Sequence, residues 1–427
     1  MIRKDHYFIQ TGLILALFMP CAVHASESVA PAGHSPVFSQ LSLHDAEALW
    51  AERNRALKLA NDAVAGAEAD RVGAAQRPNP QLSINTASIN PSAGIGSGAL
   101  RDKQMDTIFR VDQLIERGSK RELRTRTAEA RLDASRRDFA ESIRSQRFAL
   151  HQAYYDLMLA QEKRHIAEEN IVLYQKTLHA AELRLKAGDL SASDVSRIRV
   201  EALRAENESR QAVADFEKAQ IVLAYLIGAE REARSLNAAD AWPAISAVAS
   251  FDARVDGRAD VQAAASRVHA AESVRDLARS LKTRDVTVGL QFEHYPPANT
   301  YGVGVSIPLF VNHQYEGEIR RAEAELQMAR DGLEQVRGLA QSEIFKARTD
   351  LEAAIERGRR FEDSLLAEAE RSSRAAEFAF GHGAMGVMDL LDARRTLKLI
   401  QIESATSRAD YAKALASWRA ATQENLQ

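Results

Sequence analysis

Between Ser119 and Ala187 the chain contains neither glycine nor proline. Those two residues interrupt helices most strongly, and the run is dominated by residues that favour them. At about 1.5 Å per residue, a single helix over this stretch would be roughly 100 Å long. No globular core needs a helix of that length, so the molecule must be extended. Phe139, Ile143, Leu150, Ala153 and Leu157 recur at spacings built from three and four, the seam of a coiled coil. Ser119 with Glu122 predicts a capping box at the start of the helix.

The run stops at Gly188, and the way it stops occurs twice. LRLKAGDLSASDVSRIRVEAL, Leu183 to Leu203, and FAFGHGAMGVMDLLDARRTL, Phe378 to Leu397, align at one constant offset, Gly188 with Gly383 and Asp194 with Asp389. Each reads as a helix ended by a left-handed glycine, a short turn and a new helix. Ser191, three residues before Asp194, supplies a cap for the second helix of the first pair. Val213, Phe216, Leu223 and Ile227 mark that helix's apolar stripe. A pair of helices joined this way also suits an ordinary soluble bundle, so the hairpins do not decide the fold alone.

Short strands precede each pair. A first helix from Leu43 to about Arg77 ends at the prolines of RPNPQL. Leu82, Ile84 and Thr86 then alternate with Ser83 and Asn85, and after PSAGIGSGAL the alternation resumes at Met105, Thr107, Phe109 and Val111. Residues 228–257, with Trp242-Pro243, read as an irregular linker. The plan then repeats. Val286, Val288, Leu290 and Phe292 alternate with polar or small residues, as do Tyr301, Val303, Val305 and Ile307 after the tip PPAN, and Pro308 ends the strand. RRAEAEL, Arg320 to Leu326, echoes RTAEARL, Arg126 to Leu132. The expected units are a first repeat over 41–228, with a β-hairpin at 81–115 and a helical hairpin at 119–227 turning near 188, a linker over 229–257, and a second repeat over 258–427. The second repeat holds a β-hairpin at 285–309 and a helical tip near 381–389.

Aromatic content of 6% and abundant Ala, Leu, Arg, Glu and Gln fit coiled-coil helices, and a formal net charge of -3 gives no basic field for nucleic acid. Arg3 and Lys4, the apolar run Leu13–Met19 and Val23-His24-Ala25 have the order of an export signal over residues 1–25. Cys21, the single cysteine, lies within it, so the mature chain has no thiol, disulfide or thiolate metal site; a lipid-modified Cys21 is the alternative. The 11 histidines show no ligand spacing, and His294, His313 and His382 are isolated, so no metal site and no cofactor are expected. No nucleophile, base and orienting group, and no phosphate loop, points to an enzyme.

The strands have the length and two-faced character of bilayer-crossing strands, although a half-buried soluble sheet alternates in the same way. One chain offers four of them. Four strands cannot close a barrel, and unpaired edges are not tolerated in lipid. Membrane strands would therefore have to be shared, about twelve from three copies.

The tandem repeat, the RPNPQL and SIPLF junctions and the Gly-x5-Asp turns resemble the TolC family of outer-membrane channels. ERGSKRELR (Glu116 to Arg124), ADVQAAASRV (Ala259 to Val268) and SIPLFVNHQYEGEI (Ser306 to Ile319) resemble the branch serving cobalt–zinc–cadmium and related heavy-metal efflux. The resemblance implies a mainly α fold with a pair of membrane β-hairpins per chain. It further implies a homotrimer with a 12-stranded barrel set in outer-membrane lipid of a Gram-negative bacterium, and a long periplasmic α-helical tunnel. Its implied partners are a periplasmic adaptor and an inner-membrane RND-type transporter, for which the trimer is a passive exit duct. Export of drugs or of proteins is the alternative within the family. A periplasmic coiled-coil scaffold without a pore is the alternative outside it.

The resemblance also assigns roles. Asp389 and Asp392 in MDLLDA match paired acidic residues that narrow the tunnel mouth, where three copies would form stacked carboxylate rings attracting cations. Asp194 and Arg199 match residues of the bonds that hold the tip shut. Leu185, Ala187, Gly188, Leu190, Gly383, Ala384 and Met385 match the tips that meet the adaptor. Arg197, Arg394 and Arg395 add charges nearby, which implies a different closed-state network.

Overall fold

The computed structural model describes residues 38–89, 105–246, 255–295 and 298–422. The export signal, Cys21 and the tip PSAGIGSGAL lie outside them. The glycine- and proline-free run is one helix, α3, Lys120–Lys186, and it returns as α4, Ala192–Ile227. The second repeat pairs α6, Glu316–Arg360, and α7, Leu366–Gly381, with α8, Val387–Thr422. A π-helical turn at Phe361–Leu365 joins α6 to α7, so this arm carries a local extra residue where the first repeat is regular.

The seam expected in α3 is present. Leu150, Ala153 and Leu157 are buried, with Phe139 and Ile143 packed against the same core. On α4, Phe216, Leu223 and Ile227 are buried, but Val213 faces outward. Val213 sits three residues before Phe216, at the margin of the stripe, where the pattern in the sequence cannot tell edge from centre.

The helix expected over Leu43 to Arg77 is two helices, α1, Leu43–Arg53, and α2, Arg55–Ala75. Asn54 separates them because it does other work. Its backbone is extended, its Oδ1 accepts from the Leu57 N–H at 3.0 Å, and its Nδ2 donates to the Leu226 carbonyl at 3.0 Å. The break ties α2 to the end of α4. In the second repeat Arg258 precedes α5, Ala259–Ser280, and performs the same kind of junction. It is buried and donates to Asp260, to Glu343 at 2.6 Å and to the Ala340 carbonyl on α6.

The capping box at Ser119 is absent. Gly118 and Ser119 both have positive φ, a left-handed backbone in place of the extended one that capping needs, and the Ser119 side chain makes no capping hydrogen bond. Asp285 organises this corner instead, accepting from the Arg117 N–H at 2.9 Å and from Lys120 Nζ at 2.8 Å.

The four strands are β1, Gln81–Ala87; β2, Asp106–Ile115; β3, Val286–Tyr295; and β4, Ala298–Ser306. They form one antiparallel sheet in the order β1-β2-β3-β4, so β1 and β4 each have an unpaired edge. β4 begins inside the expected tip, at Ala298, leaving only residues 296–297 between the strands. The register aligns apolar side chains across the sheet. Leu82, Val111, Leu290 and Val303 share one row, and Ile84, Phe109, Phe292 and Tyr301 the next. These side chains cover no core of this chain: Leu82, Leu290, Tyr301 and Val303 are all exposed. On the other face Arg110 pairs with Asp112 at 2.9 Å beside Gly289, where an added Cβ would overlap the Asp112 carboxylate.

Candidate functional site

The two helical tips are built from the same backbone hydrogen bonds. At the first, the Ala187 N–H donates to the Leu183 carbonyl, Gly188 to Leu185 and Asp189 to Arg184. At the second, His382 donates to Phe378, Gly383 to Phe380 and Ala384 to Ala379. This is the Schellman closure, which needs a left-handed residue after the helix. Gly188 at φ +85° and Gly383 at φ +74° supply it. A side chain at either position would strain the turn although there is space for it.

The next helix starts differently at the two tips. Ser191 Oγ accepts from the Asp194 N–H at 3.1 Å and donates to Asp194 Oδ2 at 2.7 Å. Arg197 approaches the same carboxylate at 3.7 Å. The position equivalent to Ser191 is Gly386, which offers no hydroxyl, and the position equivalent to Arg197 is Asp392. The Asp389 carboxylate, equivalent to that of Asp194, therefore leans over a bare glycine. Asp389 and Asp392 are both exposed, one turn apart on α8, and neither forms a salt bridge among the described residues. Asp194 and Arg199 do not meet within the chain. Arg199 instead pairs with Glu182 across the first hairpin at 2.8 Å.

That pair has a twin. Arg394 pairs with Glu377 at 3.1 Å at the same relative positions. The Arg199 side chain is 55% exposed and that of Arg394 7%. The difference comes from α3, which covers Arg394. Its Nη1 donates to Thr177 Oγ1 and its guanidinium lies 6.0 Å from the Tyr174 ring. Further ties cross between the hairpins. Arg395 bonds Glu201 at 2.5 Å, Lys398 meets Glu208, and Arg184 donates to the Phe380 carbonyl at 3.2 Å. Arg395 holds the Glu201 carboxyl below the usual range, against burial, which pushes it up. Beneath these bonds Tyr174, Val195, Ile198, Phe380, Leu390 and Leu391 form one small apolar core.

Of the tip residues, Leu185, Ala187, Gly188, Gly383 and Ala384 are exposed, while Leu190 and Met385 are half-buried against that core. The sequence reading passed over Leu183 and Phe378, repeat-equivalent residues one turn above the glycines. Both are exposed, Phe378 at 70%, with the His382 ring tilted against it at a centroid distance of 4.2 Å. It also passed over Glu182 and Glu377. The signal was available: both pairs recur at the offset already set by the glycines. Among the described residues no group of three or more His, Cys, Asp or Glu is arranged to hold a metal ion, and no helix is long and apolar enough to cross a membrane.

A sheet with two open edges and an outward apolar face, carried on helices too long for a globule and turned back at two matched tips, defines an outer-membrane duct of the efflux type. A family model described as outer membrane efflux protein matches residues 48–229 and 255–422, most of the chain, and the protein belongs to that family. It is similar to the cobalt-zinc-cadmium resistance protein CzcC of Cupriavidus metallidurans, being 25% identical over 398 residues, 91% of this chain and 93% of that protein. In fold it resembles the CmeC outer membrane channel of Campylobacter jejuni, with a TM-score of 0.76 and 15% identity over 92% of this chain and 90% of that one. It also resembles the transmembrane channel CusC, with a TM-score of 0.74 and 16% identity over 92% and 95%. The protein is an outer-membrane efflux protein.

Proposed function

We propose that three copies of this chain, exported by the signal at residues 1–25, close one 12-stranded barrel in the outer membrane and continue it as a helical tunnel. The trimer would be the passive exit duct of a tripartite pump, receiving substrate from an inner-membrane RND-type transporter through a periplasmic adaptor. Heavy-metal cations are the proposed cargo, by similarity to the cobalt-zinc-cadmium resistance protein. The observation that carries the duct is the four-stranded sheet with two unpaired edges and an exposed apolar face. Such edges need partners in lipid, and further copies of the same sheet provide them.

Asp389 and Asp392 then form two carboxylate rings at the tunnel mouth, where fixed negative charge enriches cations. The exposed Gly383, Ala384, Leu185, Ala187 and Gly188 dock the adaptor, with Leu190 and Met385 shaping the base of that surface. Asp194 and Arg199 contribute to holding the tip shut between copies. Planar-bilayer recordings test the rings: D389N/D392N should reduce the cation-to-anion permeability ratio about tenfold, a change of roughly 1.4 kcal/mol in relative barrier. Unchanged selectivity removes the rings from the mechanism. Deletion of the gene tests the cargo. Raised sensitivity to cobalt, zinc or cadmium is expected, and raised sensitivity to organic drugs alone would reassign it.

A further inference from the structure

The apolar face of the sheet does not stop where the strands stop. On the helix-proximal side of the two aromatic and aliphatic rows come Val288 and Val305, paired across β3 and β4, and then Val286 with Ile115. Past Ser306 the chain leaves the sheet, yet Ile307, Leu309 and Val311 remain exposed, the last two at 74% and 76%. Phe310 between them turns the other way, edge-on to Tyr315 with ring centroids 5.2 Å apart. Leu309 and Val311 thus extend the lipid-facing belt onto a loop at the level where strands become helices.

That level is also cationic. The Arg284 guanidinium lies 5.5 Å from the Phe310 ring centroid and makes no salt bridge among the described residues. Lys282, Arg77 and Arg117 likewise have no carboxylate partner among them. The nearby acids are engaged elsewhere: Asp285 with Lys120, Glu116 with Arg124, and Glu318 with His313. The four cations sit at the junctions into β1, out of β2 and into β3, and Gly118 beside Arg117 abuts Thr283 between Lys282 and Arg284. Leu309 and Val311 flank Phe310, on which Arg284 rests, so one short loop carries both exposed apolar side chains and a cation without a carboxylate partner among the described residues, a combination that matches a lipid whose acyl chain meets the one and whose phosphate meets the other.

We propose that residues 307–311 together with Lys282 and Arg284 form a binding site for an anionic phospholipid of the periplasmic leaflet. The Phe310 ring holds the Arg284 guanidinium in place, which lowers the ordering cost of a phosphate contact. The site rests on the reading that the sheet lies in the outer membrane.

The test is native mass spectrometry of the trimer in micelles containing equal amounts of dioleoyl phosphatidylglycerol and dioleoyl phosphatidylcholine. The wild type should retain the anionic lipid preferentially. Arg284→Gln should lower its retention about fivefold, as should Lys282→Gln, while phosphatidylcholine retention stays unchanged. Arg284→Lys should keep most of the preference, and L309N/V311N should lower retention of both lipids. Equal retention of the two lipids by the wild type overturns the proposal, as does an Arg284→Gln protein that holds phosphatidylglycerol as before. Absence of any retained lipid also overturns it and points to a neighbouring copy covering the loop. Fractionation separates the two readings. A trimer in the outer membrane without lipid preference sinks this site alone, whereas a protein missing from the outer membrane sinks the membrane reading beneath it.

Discussion

The first helical tip neutralises its own charges, and the second leaves them open. Both have the same glycine closure, the same arginine–glutamate pair and an aspartate three residues after the position that caps the next helix. In the first, Ser191 and Arg197 engage the aspartate. In the second, glycine and a further aspartate replace them, and two carboxylates face outward together. The arginine moves in the opposite sense, exposed in the first tip and buried against α3 in the second. Duplication thus kept the backbone device and divided the chemistry. The second tip carries two exposed carboxylates without a salt bridge among the described residues, and its buried arginine anchors it to the first.

Breaking that anchor should have the largest effect. Arg394→Ala removes the partner of Glu377 and Thr177 and leaves a cavity beside Tyr174, so the second tip should lose about 2–4 kcal/mol of local stability. Hydrogen exchange of the purified protein reads this directly, as lost protection of amides around Gly383 and Ala384 with those around Gly188 much less affected. Larger single-channel conductance should accompany it. Equal loss at both tips would show that the two open as one unit and that the asymmetry of anchoring has no mechanical meaning.

Acid should act next, through Glu201. Its carboxyl is held below the ordinary value of 4.5 chiefly by the hydrogen bond from Arg395. A depressed acid contributes stability that is present above the unfolded value and is lost as pH falls through the folded one. The tie between α4 and α8 should therefore hold at neutral pH and weaken below about 4.5, costing about 1–2 kcal/mol. Glu201→Gln should show the weakened state at pH 7 and remove the acid dependence of exchange at the second tip. A Glu201→Gln protein that still loosens in acid would assign the effect to another carboxylate.

How much of this was legible in the sequence differs between backbone and side chains. Gly188, Gly383 and the glycine-free run announce the hairpins, because helix ends depend on local conformational preference that the residue itself carries. The strands were legible from alternation, since each side chain faces one side or the other. Asn54 broke a helix that its neighbours favour, because its partner Leu226 lies in another element far along the chain. The capping box at Ser119 failed for the same kind of reason, overridden by Asp285 from the other repeat. At the tips, Asp389 and Asp392 were found through a resemblance. The burial of Arg394 depends on which face α3 covers, and no spacing within α8 encodes that.

The missing cap at the second tip can be restored. Gly386→Ser puts a hydroxyl where Ser191 sits in the first repeat, and it should draw in the Asp389 carboxylate. Helix stability should rise by a few tenths of a kcal/mol, the usual difference between serine and glycine at such a position. Cation selectivity should fall by less than the D389N/D392N change, since Asp389 stays charged but is partly engaged. A gain in stability with no change in selectivity would place Asp389 away from the ion path and leave Asp392 as the constriction.

Arg199→Ala should have the smallest effect, and its size decides a question about the assembly. Among the described residues of one chain Arg199 pairs only with Glu182, both are about half exposed, and such pairs contribute less than about 1 kcal/mol. Alanine also favours the helix slightly more than arginine does, which offsets part of the loss. Exchange at Gly188 should therefore change by no more than about 0.5 kcal/mol if Arg199 acts inside its own hairpin. A loss above about 1.5 kcal/mol in the trimer requires a second carboxylate, and the remaining source is a neighbouring copy. On the proposed closure between copies that acid is Asp194, and D194N should then reproduce the loss without adding to it in the double variant. Additive small effects would confine both residues to local capping and leave the closed tip to Arg394 and Arg395.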